Sequence, residues 1–161
     1  MIHHPFPPLY DEKSTILILG SFPSVKSREQ QFFYGHPQNR FWAVTSRVFG
    51  CEKPNTIEEK KDFLHANHIA LWDVIAACEI TGSSDSSIRN VTPNDLLPIL
   101  DNSNVSRIFV NGRAAQKYYE KYTRPTLDRE AIYLPSTSPA NAAWSVDRLA
   151  EEWRKIILTN V

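Results

Sequence analysis

Four short apolar runs, separated by stretches of helical period, constrain this chain most. They are residues 15–20 (Thr-Ile-Leu-Ile-Leu-Gly), 68–75 (His-Ile-Ala-Leu-Trp-Asp-Val-Ile), 107–111 (Arg-Ile-Phe-Val-Asn) and 131–134 (Ala-Ile-Tyr-Leu). Each run is continuous rather than alternating. A strand with one wet face alternates, so these runs predict strands covered on both faces. Between and after them the period changes. Val146, Leu149, Ala150, Trp153, Ile156 and Ile157 form one helical stripe, with Asp147, Glu151, Glu152, Arg154 and Lys155 off it. Ala114, Ala115, Tyr118, Tyr119 and Tyr122 form a second stripe. A helix over 56–67 opens on a Thr cap and two early glutamates. A buried helix over 40–49 stops at Gly50. A short helix holding Leu96, Leu97 and Leu100 is predicted to begin at Pro93, capped by Thr92. Strands alternating with helices predict an α/β fold, a parallel sheet with helices on both sides. With 161 residues the chain is about one domain, able to bury roughly two thirds of its unfolded surface, and nothing in the sequence divides 1–161.

Parallel α/β sheets carry their function at the carboxyl ends of the strands. After the first run comes Gly20-Ser-Phe-Pro-Ser24. It is neither a dinucleotide fingerprint nor a P-loop nor a hydrolase elbow. It is either a turn that exposes backbone N–H groups or a plain strand-ending turn. Next lies Gln30-Gln-Phe-Phe-Tyr-Gly-His-Pro-Gln-Asn-Arg-Phe-Trp42. Aromatic faces beside amides suit a planar, polar ligand such as a nucleobase. The same residues suit an aromatic loop over the core, with Asn39 capping the helix behind it. The loop 82–88 holds one acid, Asp85, among small residues, and reads as a phosphate-facing turn or a connector. Asn111 ends the third strand and offers a donor and an acceptor to a base edge, or serves as a turn residue before Gly112. After the fourth strand, Pro135-Ser-Thr-Ser-Pro-Ala-Asn141 makes a stiff, narrow loop able to approach a phosphate backbone, with Ser145 as a cap for the last helix.

Eighteen Lys plus Arg balance eighteen Asp plus Glu, so the basic coat usual for a nucleic-acid binder is absent, although a local basic face is compatible with that sum. Two cysteines, Cys51 and Cys78, are too few for a four-cysteine iron–sulfur site or a disulfide scaffold. His65 and His68 lack a third ligand at metal spacing, so no metal or cofactor is expected. The opening residues 1–13 form an extended, proline-rich arm rather than a signal peptide, with His3 and His4 in a mobile segment. With no long apolar run, these features predict a soluble protein of a reducing, cytoplasmic compartment, with no membrane partner.

Taken together, the segments resemble the uracil-DNA glycosylase superfamily. Gly20-Ser-Phe-Pro-Ser24 stands where that superfamily has its first motif. His36-Pro-Gln-Asn-Arg-Phe-Trp42 resembles a run of its mismatch-specific members, and Ser138-Pro-Ala-Asn-Ala142 resembles its second motif, the loop that clamps DNA beside an extruded nucleotide. With Gly-Ser-x-Asp-x-x-Ile at 82–88, the combination is most similar to the hypoxanthine-DNA glycosylase branch. The resemblance runs from the first strand to the last loop.

It implies a three-layer α/β/α sandwich with a four-stranded sheet in the order 2-1-3-4, and a monomer acting on DNA that contains a deaminated base. It implies catalysis by Asn39, because Phe22 stands where related enzymes carry the Asn or Asp that positions water. Ser21, Phe22, Phe33, Tyr34 and Asn111 are the implied base-binding residues. Ser138, Pro139, Ala140, Asn141 and Arg40 are the implied DNA contacts, with Lys26, Arg28 and Arg113 as further phosphate candidates. No lysine falls in the matched motifs, which predicts base excision without strand cleavage. A uracil or mismatch glycosylase, a noncatalytic nucleic-acid module and a nucleotide hydrolase are the competing readings.

Overall fold

The structure is a computed structural model that describes residues 1–158. Its centre is a parallel four-stranded sheet made of β2 (Ile16–Gly20), β3 (Ile69–Asp73), β6 (Arg107–Asn111) and β7 (Ile132–Leu134), in the order β3-β2-β6-β7. That is the expected 2-1-3-4 order of the four apolar runs. Leu17, Ile18 and Leu19 are each fully buried. Successive strand residues point to opposite faces, so burial of all three means that both faces are covered. Pairing is in register from Ile16↔Ile69 to Gly20↔Asp73 on one side and from Ile16↔Arg107 to Leu19↔Val110 on the other. The chain reverses direction across the sheet between β2 and β6, which opens a crevice at their carboxyl ends.

The helices are α1 (Val25–Gln30), α2 (Phe41–Val48), α3 (Ile57–Ala66), α4 (Leu97–Asp101), α5 (Arg113–Tyr118), α6 (Arg124–Leu127) and α7 (Val146–Leu158). Helix α3 carries the expected Thr56 cap, with the Glu59 side chain reaching back to the cap backbone. The helix over the tyrosine stripe is interrupted: after α5 a wider turn, Tyr119–Thr123, precedes α6. Pro125 in the first turn of α6 cannot donate to a preceding carbonyl, and such turns absorb the mismatch. Ser145 Oγ accepts from Arg148 N, the expected cap of α7.

Three expectations fail. The run 68–75 is two strands. Val74 and Ile75 donate their N–H groups to Gly20 and Ser21, and the chain then leaves the parallel sheet as β4 (Ile75–Glu79). Strand β4 lies between β1 (Ile2–His3) and β5 (Arg89–Pro93) in a small antiparallel sheet. Thr92 and Pro93 therefore belong to an edge strand, where a missing N–H is tolerated, and α4 starts four residues later with Pro98 in its first turn. The third failure is the arm. It is extended, but His3 and Ile2 pair with Ala77 and Cys78, Leu9 bridges Leu71, and Phe6 and Leu9 are buried. Apolar anchors at Phe6 and Leu9 hold what composition alone makes look like a tail.

Candidate active site

All four parallel strands deliver a residue or a following loop to one cleft of about 270 Å³ at the carboxyl edge of the sheet. Strand β2 ends in Gly20 and leads to Ser21 and Phe22; β3 ends in Asp73; β6 ends in Asn111; β7 leads to Ser136–Ala140. The loop between α1 and α2 adds Phe33, Tyr34, His36 and Asn39.

Asn39 and Asn111 meet through Thr137, a fully buried hydroxyl that the sequence did not single out. Thr137 Oγ1 donates to Asn39 Oδ1 at 2.9 Å and accepts from Asn111 Nδ2 at 3.1 Å. The Thr137 N–H donates to Asn111 Oδ1 at 3.2 Å, so the Asn111 amide is held at both ends. Asn39 Oδ1 also accepts from the Phe41 N–H at 2.9 Å, the first N–H of α2, but the cap position of that helix is Arg40, which makes no side-chain cap bond, so Asn39 precedes the cap rather than forming it. Both lone pairs of that oxygen are thus taken within the protein, and the Asn39 Nδ2 donors have no partner among the described residues.

Tyr34 sits in the left-handed region, with φ 50°, an uncommon setting for a bulky residue. Its carbonyl accepts from Trp42 Nε1 at 3.1 Å, and its ring stacks on Phe41 with centroids 4.0 Å apart and planes 9° off parallel. The hydroxyl receives a long hydrogen bond, 3.4 Å, from Asn111 Nδ2. Burial pushes the phenol pKa well above its usual value; the charge of Asp73 adds to the rise and the Asn111 bond opposes it. Tyr34 is therefore a neutral phenol at any physiological pH. Phe22 lines the cleft beneath the Arg28 guanidinium, while Phe33 is packed among Phe6, Phe32 and Trp72 and shows the cleft little of its ring.

The strand-ending Gly20 has a specific cause. A Cβ there would stand 2.5 Å from Asp73 Oδ1 and 3.2 Å from the Tyr34 hydroxyl, so only glycine lets both groups reach the cleft floor. Gly112, with φ 95°, plays the same part on the far side, where a Cβ would lie 2.9 Å from Ser136 Cβ. The wall opposite is Asp85, in the short turn Asp85–Ser87; it accepts from Ser21 Oγ at 2.9 Å. Desolvation at the cleft raises its carboxyl pKa, Ser21 lowers it, and the Asp73 charge raises it further.

The loop after β7 is wired to itself. Ser136 Oγ accepts from the Ser138 N–H, Ser138 Oγ from the Ala140 N–H, and Asn141 Nδ2 donates to the Ser136 carbonyl. Arg40 locks it from below, its guanidinium donating to the carbonyls of Ser138 at 2.8 Å, Asn141 at 3.0 Å and Trp144. Pro139 and Ala140 face the cleft mouth; Asn141 and Arg40 lie behind the loop. Among the described residues no group of three or more His, Cys, Asp or Glu is placed to hold a metal. None of their helices is long and apolar enough to cross a membrane.

Of the site residues quoted from the sequence, Ser21, Phe22, Phe33, Tyr34, Asn39, Asn111, Ser138, Pro139 and Ala140 line this crevice, whereas Arg40 and Asn141 do not. The model of the uracil DNA glycosylase superfamily matches residues 7–158. The chain belongs to the uracil DNA glycosylase superfamily. A hypoxanthine DNA glycosylase of Methanosarcina acetivorans is 38% identical over 97% of this chain and 98% of its own length. A protein of the same name from Methanosarcina barkeri is 33% identical over 84% and 86%. The solution structure of a candidate uracil DNA glycosylase from M. acetivorans superposes with a TM-score of 0.80, at 36% identity, over 97% of this chain and 99% of that one.

Asp73 and Thr137, which line this superfamily member's cleft, and His4, which lies behind Asp73 and outside the lining, were not singled out as site residues from the sequence. Only Asp73 carried a signal, a lone acid at the end of an apolar run, where a buried charge needs a partner. His4 supplies it, with Nε2 2.7 Å from Asp73 Oδ2.

Proposed function

We propose that the protein is a monofunctional DNA glycosylase that extrudes and hydrolytically excises a deaminated base, hypoxanthine first among them. The carrying observation is the braced amide of Asn39 at the edge of a closed-floored cleft that also holds the Tyr34 ring. The two Methanosarcina names and the presence of Phe22 at the first-motif position support hypoxanthine over uracil.

A base inside a duplex is out of reach, so it must leave the stack. The cleft takes it between Phe22 and the Tyr34 ring, whose other neighbour is Phe41. Pro139 and Ala140, on the loop that Arg40 stiffens, press into the space left behind, and the Ser136 and Ser138 hydroxyls, which accept within the loop and keep their O–H to donate, hold phosphates. Breaking the C1′–N bond builds positive charge on the sugar and negative charge on the base. Asn39 holds a water through Nδ2; the amide donates to one lone pair and leaves the other for C1′. The amide, whose oxygen is already occupied, orients the water and takes no proton, which suffices when the bond has largely broken first; the proton given up by the water goes to the departing base anion or to solvent. With no amine nucleophile in the cleft the product is an abasic site in an unbroken strand. The protein acts as a monomer.

Oligonucleotides carrying hypoxanthine, uracil, xanthine or mismatched thymine, assayed with and without alkali, test this. Strand breaks at hypoxanthine that need alkali are expected. Breaks without alkali, or no excision of any of the four, would sink the reading.

A further inference from the structure

We infer that Asp85 is a general acid of the reaction: its carboxyl O–H, held in the cleft wall by the Ser21 hydroxyl, passes a proton to N7 of a purine as that base leaves the sugar. This rests on the proposed base-excising function, and it supplies the departing base with a proton from the protein rather than from the attacking water.

Asp85 lines the cleft from a short turn that other elements tie down. Its Oδ1 accepts from Ser21 Oγ at 2.9 Å, and Ser21 is itself anchored, its carbonyl accepting from the Ile75 N–H at 3.1 Å. The Val25 N–H at the start of α1 donates to Ser83 Oγ at 2.9 Å, and the Arg28 guanidinium of the same helix donates to the Gly82 carbonyl. A connector that only spans a gap has no need of these bonds. They hold one carboxyl in one place, as a proton donor must be held before the bond it assists begins to break. Among the described residues, no donor reaches Oδ2 and no cation pairs with the carboxyl, so that oxygen is left for a proton and a ligand. The surrounding charges favour the protonated form. Asp73, in the same cleft, repels a second negative charge. Cys78 and Tyr118, which also feel Asp85, are neutral because burial raises the pKa of each. Arg28 is turned to the Gly82 carbonyl and the Phe22 ring, and Arg89 of β5 to the carbonyls of Ser86 and Ile88. Two carboxyls in one site with their ionisation pushed apart is the arrangement that leaves one of them an acid.

The chemistry that needs such a group belongs to purines. A departing purine collects negative charge on its five-membered ring, where N7 keeps a lone pair that takes a proton; a pyrimidine has no equivalent nitrogen. In the step, the C1′–N9 bond breaks with both electrons to the purine. The Asp85 O–H bond breaks with its proton to N7, so the base leaves neutral. The water held by Asn39 adds to C1′, and the proton it gives up returns through solvent to the Asp85 carboxylate.

Single-turnover excision from duplexes carrying hypoxanthine would be followed against pH, with melting curves beside it. The native protein is expected to be fastest on the acid side and to slow as pH rises through the raised carboxyl pKa. Asp85→Asn keeps an acceptor for Ser21 and has no acid proton. It is expected to slow excision about a hundredfold or more at the acid end and to flatten the pH profile. A rate unchanged in Asp85→Asn, or one lowered equally at every pH with the profile intact, would make Asp85 a structural residue and overturn the proposal while leaving the base-excising function in place. If the native protein excises uracil and no purine, the assigned substrate and the proposal fall together. If Asp85→Asn does not fold, the native protein decides alone, on hypoxanthine and on 7-deazahypoxanthine, in which a C–H replaces N7. Hypoxanthine excision that does not slow on the alkaline side, or equal rates for the two bases, would overturn the proposal.

Discussion

At the scale of single residues, Asn39 carries two jobs that separate cleanly. Its oxygen holds the Phe41 N–H and the Thr137 hydroxyl; its nitrogen is left for the reaction. Asn39→Ala removes both. We expect excision to fall about a hundredfold or more, as for other lost positioning groups, and stability to fall by about 1 kcal/mol for the lost bonds to the Phe41 N–H and the Thr137 hydroxyl. Asn39→Asp keeps the two contacts to oxygen and offers a second oxygen to the water, so it should retain more activity than Ala. Single-turnover excision beside a melting curve checks both, and full activity in a destabilised Ala variant would remove Asn39 from the chemistry. Asp85 gives a prediction in pH. Its carboxyl pKa is raised in the fold, so its protonated form is the one the fold favours. The stability it contributes is present below the ordinary carboxylate pKa and is lost as pH rises through the raised one. Asp85→Asn keeps an acceptor for Ser21 and removes the charge that faces Asp73. It should therefore melt slightly higher than the native protein at pH 7, with the gap closing as pH falls below the carboxylate range. A gap that widens on acidification would contradict the assigned cause.

At the scale of elements, the Arg40 clamp is the feature that makes the loop 135–144 rigid. Lysine has no planar fork, so Arg40→Lys cannot serve the carbonyls of Ser138, Asn141 and Trp144 together. We expect a loss of about 2 kcal/mol and faster protease cleavage within 135–144, because hydrogen bonds to a charged group are among the stronger ones. Unchanged melting and cleavage would show the clamp to be incidental. The elements also show what a sequence displays. The parallel strands were legible because Leu17, Ile18 and Leu19 leave no face for water. The division of 68–75 was not, since Val74 is as buried as its neighbours and the break is made by hydrogen bonds to Gly20 and Ser21, far off in sequence. Pro93 misled for a related reason: helix starts and sheet edges both tolerate a missing N–H. Tyr34 and Asn39 stood out because aromatics and amides were crowded together. Thr137 did not, because a hydroxyl in a small-residue loop looks the same whether it joins two amides or faces water.

At the scale of the molecule, charge balance and DNA binding have to be reconciled. Of the four phosphate candidates, Arg40 and Arg28 are spent on backbone carbonyls, Arg28 on Gly82, whereas Lys26 and Arg113 are exposed, Lys26 beside Glu29 and Arg113 over the Tyr133 ring. If each of these two exposed cations neutralises one phosphate, Lys26 exchanging Glu29 for it, the two together contribute about 1.8 to the slope of log affinity against log salt. Lys26→Ser/Arg113→Ser should flatten the measured slope by about that amount, and a slope unchanged in the double variant would place the phosphate contacts elsewhere. The N-terminal arm has a practical bearing on every such measurement. His4 and Asp73 are 69 positions apart, so the cleft floor is finished by the fourth residue of the chain. Met1 is 63% exposed and leaves room for a purification tag ahead of it, but a protease that trims the tag and takes four more residues with it removes the imidazole that holds Asp73 from behind. Preparations of the same nominal protein that differ only at that end would then differ in how a cleft side chain is held, and intact mass should be recorded alongside every activity measurement.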